Sequence, residues 1–272
     1  MSWCAPCLSC QWSARHAKDW AMDWGAEIKH GLRPLVDLVY PPRCPVCGEA
    51  LATHGGLCVE CWSEIEAPGE PACSSCARPV SAMDNGDSRC LHCRAEPPRH
   101  SGVIAASVYN DASRQLILRF KHGGKLSLAA LLGGMMAGHL PDSPSDTSSD
   151  QPPLLVPVPL HRTRIWDRGF NQSALLAREL EKRGKGELVV DALVRHKRTP
   201  SLGGLGREAR RTMLKDAIRI REGRRSRMTG SDILLVDDVL TSGATTGACV
   251  DALLESGAAS VKIVCFARVI DS

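Results

Sequence analysis

The chain has 272 residues, 43% of them hydrophobic, enough for one full α/β domain and a small accessory module. No stretch approaches the roughly 18 to 20 uninterrupted apolar residues of a membrane-spanning helix, and the N-terminus lacks a basic flank followed by an apolar core and a small-residue cleavage site; a cytoplasmic protein with no integral membrane segment is expected. The formal net charge of +4 is too small to define a partner.

Residues 1–40 form an N-terminal extension with four tryptophans and a partly helical pattern through Ile28, Leu32, Leu35 and Val39, closed by Pro41 and Pro42. Its Cys4, Cys7 and Cys10 have the spacing of metal ligands but lack an obvious fourth. The start of this segment is expected to be poorly ordered, or translation begins at Met22.

From 41 to 98 the chain changes character. Four CxxC pairs follow one another: Cys44/Cys47, Cys58/Cys61, Cys73/Cys76 and Cys90/Cys93. A CxxC turn aims two thiolates at one centre, and two such turns complete a tetrahedral zinc site. Disulfides are disfavoured by compartment and spacing. Two structural zinc ions in a double ribbon are therefore expected, with successive and interleaved pairing both open. Gaps of ten and thirteen residues suit a short hairpin between knuckles. Exposed Trp62 stacks on a ligand in one reading and packs the ribbon in another.

From 99 to 272 apolar runs alternate with helical periods, the texture of a mostly parallel α/β sheet with flanking helices. Strands are expected at Val103–Tyr109, Leu154–Val158, Ile233–Val236 and Val261–Phe266. Helices are expected at Arg114–Lys121, Leu126–Leu140, Gln172–Lys182 and Ala244–Glu255, the last ending at Gly257. Residues 141–153, rich in Pro, Ser and Asp, read as a mobile loop. Between Arg195 and Arg227 stand twelve Lys/Arg against three acids, either a solvated face or a site for phosphates.

The segment ILLVDDVLTSGATT at Ile233–Thr246 carries the chemistry. Asp237 and Asp238, at the carboxyl edge of an apolar strand, can accept hydrogen bonds from vicinal ribose hydroxyls. The amides and hydroxyls of Thr241, Ser242, Gly243, Ala244 and Thr245 can cradle a 5′-phosphate at the positive end of the following helix. No GxxxxGK[ST] loop competes.

The acid pair before TSGATT resembles the signature of type I phosphoribosyltransferases, which bind phosphoribosyl pyrophosphate, usually with magnesium. PPRCPVCG at Pro41–Gly48, FKHGGK at Phe120–Lys125 and PVPLHRTRIWDRGFNQ at Pro157–Gln172 extend the resemblance to the ComF family, a double zinc ribbon fused to such a domain. By this resemblance Lys121, Arg162, Arg164 and Arg168 grip the diphosphate. Asp237 and Asp238 are the catalytic pair, and Arg207, Arg210 and Arg211 sit on a lid with a glycine hinge. Leu202 and Met213 depart from the family's glutamine and asparagine there, which bears on catalysis more than on binding. ComF-like proteins are associated with natural competence, so the resemblance implies a phosphoribosyl-pyrophosphate binder that handles single-stranded DNA, with DNA-uptake proteins as partners. The alternatives are an active transferase in nucleotide metabolism with an unknown acceptor, and a ligand sensor without turnover.

Overall fold

A computed structural model of the chain describes residues 40–80, 88–122, 127–141, 151–161, 169–196 and 217–270. The expectations for residues 1–39, including Cys4, Cys7 and Cys10, lie outside them, as does most of the loop at 141–153.

The first elements are two one-turn helices, α1 (Val59–Ser63) and α2 (Leu91–Ala95), each led by a zinc-spaced cysteine at its N-cap. Around them the chain folds as knuckles closed by isolated antiparallel bridges, Arg43 with Ala50 and Ala72 with Pro79. The remainder contains β1 (Gly102–Val108), α3 (Asp111–His122), α4 (Ser127–Ala137), β2 (Leu154–Pro157), α5 (Gln172–Glu181), β3 (Glu187–Leu188), β4 (Leu193–Arg195) and β5 (Ile218–Ile220). A 3-10 turn at Glu222–Arg224 then leads to α6 (Arg225–Met228), β6 (Asp232–Leu240), α7 (Ala244–Glu255) and β7 (Ser260–Arg268).

Among the described residues, five parallel strands form one sheet in the order β1-β7-β6-β2-β3, and β4 pairs with β5 in an antiparallel ribbon. The central strands read as near-continuous aliphatic runs because helices cover both faces of a parallel sheet. One core layer gathers Leu116, Phe120, Leu132, Leu176, Leu180 and Phe266; the other gathers Val156, Ile233, Leu235, Val250, Leu253 and Ile263. Helix α4 is apolar almost all round and lies close against α5. A Cβ at Gly133 would collide with Glu179, so glycine sets that approach.

Topology places the site. The chain leaves β2 through α5 to β3 on one side, and leaves β6 through α7 to β7 on the other. Adjacent strands whose connections diverge open a crevice at their carboxyl ends, the usual ligand position in open α/β sheets.

The first ribbon has no core of its own. Cys44, Val46, Cys58 and Cys61 belong to the cluster that includes Leu116 and Phe120 of α3. Arg119 of α3 donates to the Val46 carbonyl (3.0 Å), and Asn110 donates to the Glu64 carbonyl (2.6 Å). The second ribbon keeps a small separate cluster of Cys73, Cys76 and Cys93, with Val80 and Cys90 against it.

Two expectations need adjustment. Strand β6 does not stop at Val236 but stays paired through Leu240, since Asp237 is in register with Cys265 and Leu240 with Arg268. The acids therefore sit inside a held strand. The short strands β3, β4 and β5 carry two or three residues each, too few to show a period in sequence.

Candidate functional site

Consecutive residues of a strand leave by opposite faces, so Asp237 and Asp238 take different partners. Asp238, only 8% exposed, meets Lys121 of α3, with Nζ 2.7 Å from Oδ2. Asp237 accepts at Oδ1 from the Ser173 hydroxyl of α5 (3.0 Å) and from the Asp238 amide (2.9 Å). Asp237 is half-buried by surface, yet protein atoms crowd its carboxyl. Burial first, and the neighbouring Asp238 charge second, push its pKa up to about 7; the Asp238 amide, Ser173 and Lys121 work against the rise.

Beyond the acids the chain turns at Gly243, whose φ of 78° lies in the left-handed region. Helix α7 begins at Ala244. The first helical hydrogen bond runs from the Gly247 amide to the Gly243 carbonyl (2.7 Å), and the N-cap, a glycine, offers no side chain to the amides before it. Uncapped amides at a helix start carry the positive end of the dipole. Thr241 is exposed, and Ser242 and Thr245 are half-buried. Thr246 is buried, and its hydroxyl donates back to the Gly243 carbonyl (3.1 Å), so it shapes the turn.

Asn171 accepts from the Ser173 amide (3.1 Å) and donates to the Val158 carbonyl (3.0 Å). It caps α5, ties it to the end of β2 and so places Ser173 under Asp237. Ser173 carries no motif of its own in the sequence beyond its place in the first turn of a helix. Arg268, a buried cation in the last strand, has as its signal an arginine closing an aliphatic run.

The cysteines gather as Cys44, Cys47, Cys58 and Cys61, and as Cys73, Cys76, Cys90 and Cys93, with the sulfurs of each group within 4.8 Å of one another. The pairing is therefore successive. Zinc–sulfur bonds of about 2.3 Å give a tetrahedron edge of about 3.8 Å. Cys47 and Cys58 lie 3.5 Å apart, and Cys76 and Cys90 3.7 Å. Amides already point at sulfur, Cys61 to Cys58 (3.4 Å) and Cys90 to Cys73 (3.3 Å), as thiolate ligands require. Both groups fit structural zinc.

Two family models match the chain: a double zinc ribbon domain over residues 35–95 and a phosphoribosyl transferase domain over residues 165–272. The DNA utilization protein YhgH of Escherichia coli is 29% identical over 232 residues, spanning 85% of this chain and 99% of the relative. Competence protein F of Haemophilus influenzae is 26% identical over 83% of this chain and 96% of its own length. Competence protein ComFC of Bacillus subtilis is 27% identical over 76% and 81%. The chain is thus similar along most of its length to a DNA utilization protein and to two competence proteins.

The remaining sequence-derived residues divide by location. Arg162, Arg164, Arg168, Arg207, Arg210 and Arg211 lie outside the described residues. Lys121 stands against an acid of the site. The described end of the basic run is partly engaged in ion pairs: Arg221 and Arg224 meet Asp191, and Arg227 meets Glu187. Arg195 is buried. Trp62 is 55% exposed on the first ribbon, beside Val59 one turn earlier.

Proposed function

We propose that this chain binds phosphoribosyl pyrophosphate in the crevice between β2 and β6 and acts in handling single-stranded DNA during uptake. The observation that carries the ligand is the uncapped start of α7, three residues beyond a paired strand that holds two adjacent carboxylates. The 5′-phosphate lies on the amides of Thr241–Thr245, and the ribose hydroxyls donate to Asp237 and Asp238. Lys121, freed from Asp238 as those hydroxyls arrive, serves the diphosphate. The acids do not form an open dication site, because Lys121 holds one and Ser173 with an amide holds the other. Magnesium would therefore arrive with the diphosphate and neutralise its charge.

The DNA role rests on the names of the relatives, a DNA utilization protein and two competence proteins, together with the basic run in the sequence. Backbone binding of that kind weakens steeply with salt. A second reading, transfer of the phosphoribosyl group to an acceptor, is favoured by the match to the transferase domain. Arginines and magnesium would then stabilise the departing diphosphate.

Isothermal titration with phosphoribosyl pyrophosphate and magnesium tests the ligand. Saturable binding at one site per chain is expected, and absence of binding would overturn the reading. Anisotropy of a labelled single strand across a salt series tests the DNA role, with a salt-independent or undetectable signal counting against it. Release of pyrophosphate with any nucleobase in a panel would move the chain to the transferase reading.

A further inference from the structure

Arg268 joins two parts of the molecule that the sequence separates by almost two hundred residues. It closes β7 and is 5% exposed. Its Nε donates to the Cys76 carbonyl of the second zinc knuckle (3.2 Å). Its Nη1 donates to the carbonyls of Leu240 (2.9 Å) and Thr241 (2.5 Å), where the phosphate loop begins.

Peptide geometry gives these contacts a consequence. In a planar trans peptide the C=O and N–H point opposite ways. The Thr241 carbonyl is drawn to Arg268, so the Ser242 amide of the same unit is turned away from Arg268. The same rule operates at the knuckle. The Ala77 amide donates inward to the Cys73 carbonyl (2.9 Å), which drives the Cys76 carbonyl of that peptide outward to Arg268. Ala77 holds a left-handed φ of 56° to close the turn. That conformation is unfavourable for an alanine, and gathering Cys73 and Cys76 around one metal would hold it in place.

We propose that Arg268 is a positioning residue for the phosphate loop, and that through it the second zinc knuckle sets the orientation of the loop amides. The inference concerns how the loop is held. Its bearing on phosphoribosyl pyrophosphate rests on the proposed ligand above. The first ribbon contributes differently, through α3 and the shared core.

Amide hydrogen exchange on the full-length zinc-loaded chain, without any ligand, tests the link. In Arg268→Gln the amides of Ser242 to Thr245 should exchange on the order of tenfold faster, the loss of about one charge-assisted hydrogen bond. Zinc content should remain at the wild-type level. Arg268→Lys, which keeps the charge but loses the fork, should fall between the two and covers the case in which the glutamine variant folds poorly. Removing the second zinc with Cys73→Ser and Cys76→Ser should accelerate the same amides in an otherwise wild-type chain and add nothing further in Arg268→Gln. Unchanged exchange in both Arg268 variants, or equal acceleration by the cysteine changes with and without Arg268, overturns the proposal. Titration of the variants with phosphoribosyl pyrophosphate then separates the two ideas. Absence of binding in wild type counts against the ligand alone, whereas equal binding in wild type and both variants counts against Arg268 alone.

Discussion

Lys121 and Asp238 form an ion pair across α3 and β6, Nζ to Oδ2 at 2.7 Å, with side chains 23% and 11% exposed. A cation that local sequence reads as a diphosphate ligand thus also neutralises one of the two acids at the end of β6. The first ribbon packs on the same helix, two residues away, through Arg119 and Val46.

Removing this lysine should leave Asp238 charged and poorly solvated. Lys121→Met is expected to destabilise the fold by about 1–3 kcal/mol, and Asp238→Asn by less. The double variant should recover part of the loss, with a coupling of about 1–2 kcal/mol in urea unfolding. Strict additivity would show that the pair does not form in solution. Both single variants should also weaken phosphoribosyl pyrophosphate by roughly ten- to a hundredfold, the worth of one charge-assisted hydrogen bond.

Asp237 should make stability depend on pH. Its folded pKa stands near 7 against an ordinary 3.8, so between these values the folded chain keeps a proton that the unfolded chain releases. Stability therefore falls as pH rises through that window. Thermal melts from pH 5 to 8 should show this slope, and Asp237→Asn should flatten it. Ribose hydroxyls donate to the ionised carboxyl, so ligand affinity in wild type should rise as pH passes about 7, again with less dependence in Asp237→Asn. A steeper slope in the variant would rule out this assignment.

Elemental analysis should return two zinc ions per chain. Cys73→Ser with Cys76→Ser should remove one ion and leave most of the melting transition, because the second ribbon has its own small cluster. Cys44→Ser with Cys47→Ser should remove one ion and lower the melting temperature more, because that ribbon is part of the main core. Iron, or equal melting of the two pairs, would contradict this assignment.

Gly243 is required by conformation before any question of space. Among the described residues a Cβ there would meet Thr246 Oγ1 at 3.8 Å and Leu240 Cδ1 at 4.0 Å, ordinary contacts, but φ is 78°. Gly243→Ala should cost about 1–2 kcal/mol, and Gly243→Val more because of its branched Cβ. Gly243→Asn should be milder in urea unfolding, since asparagine tolerates this region. Ligand affinity should fall in all three, and most for valine. Equal stability of the alanine and asparagine variants would place the loop in another conformation in solution.

The sequence by itself determined the zinc-spaced cysteine pairs, the α/β class and the strand-to-helix turn after the two acids. Each is a local signal: paired cysteines three apart, an aliphatic run ending in acids, a glycine at a strand-to-helix turn. Helix α7 was legible to the residue because Gly243 and Gly257 punctuate both ends. Cysteine pairing needed the tertiary structure, since successive and interleaved ribbons use the same eight ligands and only proximity in space separates them. So did the partners of the acids. Ser173 lies 64 residues from Asp237, and Lys121 is joined to Asp238 only because α3 packs against the sheet. Arg268 lies two residues beyond the strand expected at Val261–Phe266, and its contact with Cys76 spans 192 residues. Periodicity reports which face of an element is buried; what that face meets is fixed by strand order, and strand order is a property of the whole chain.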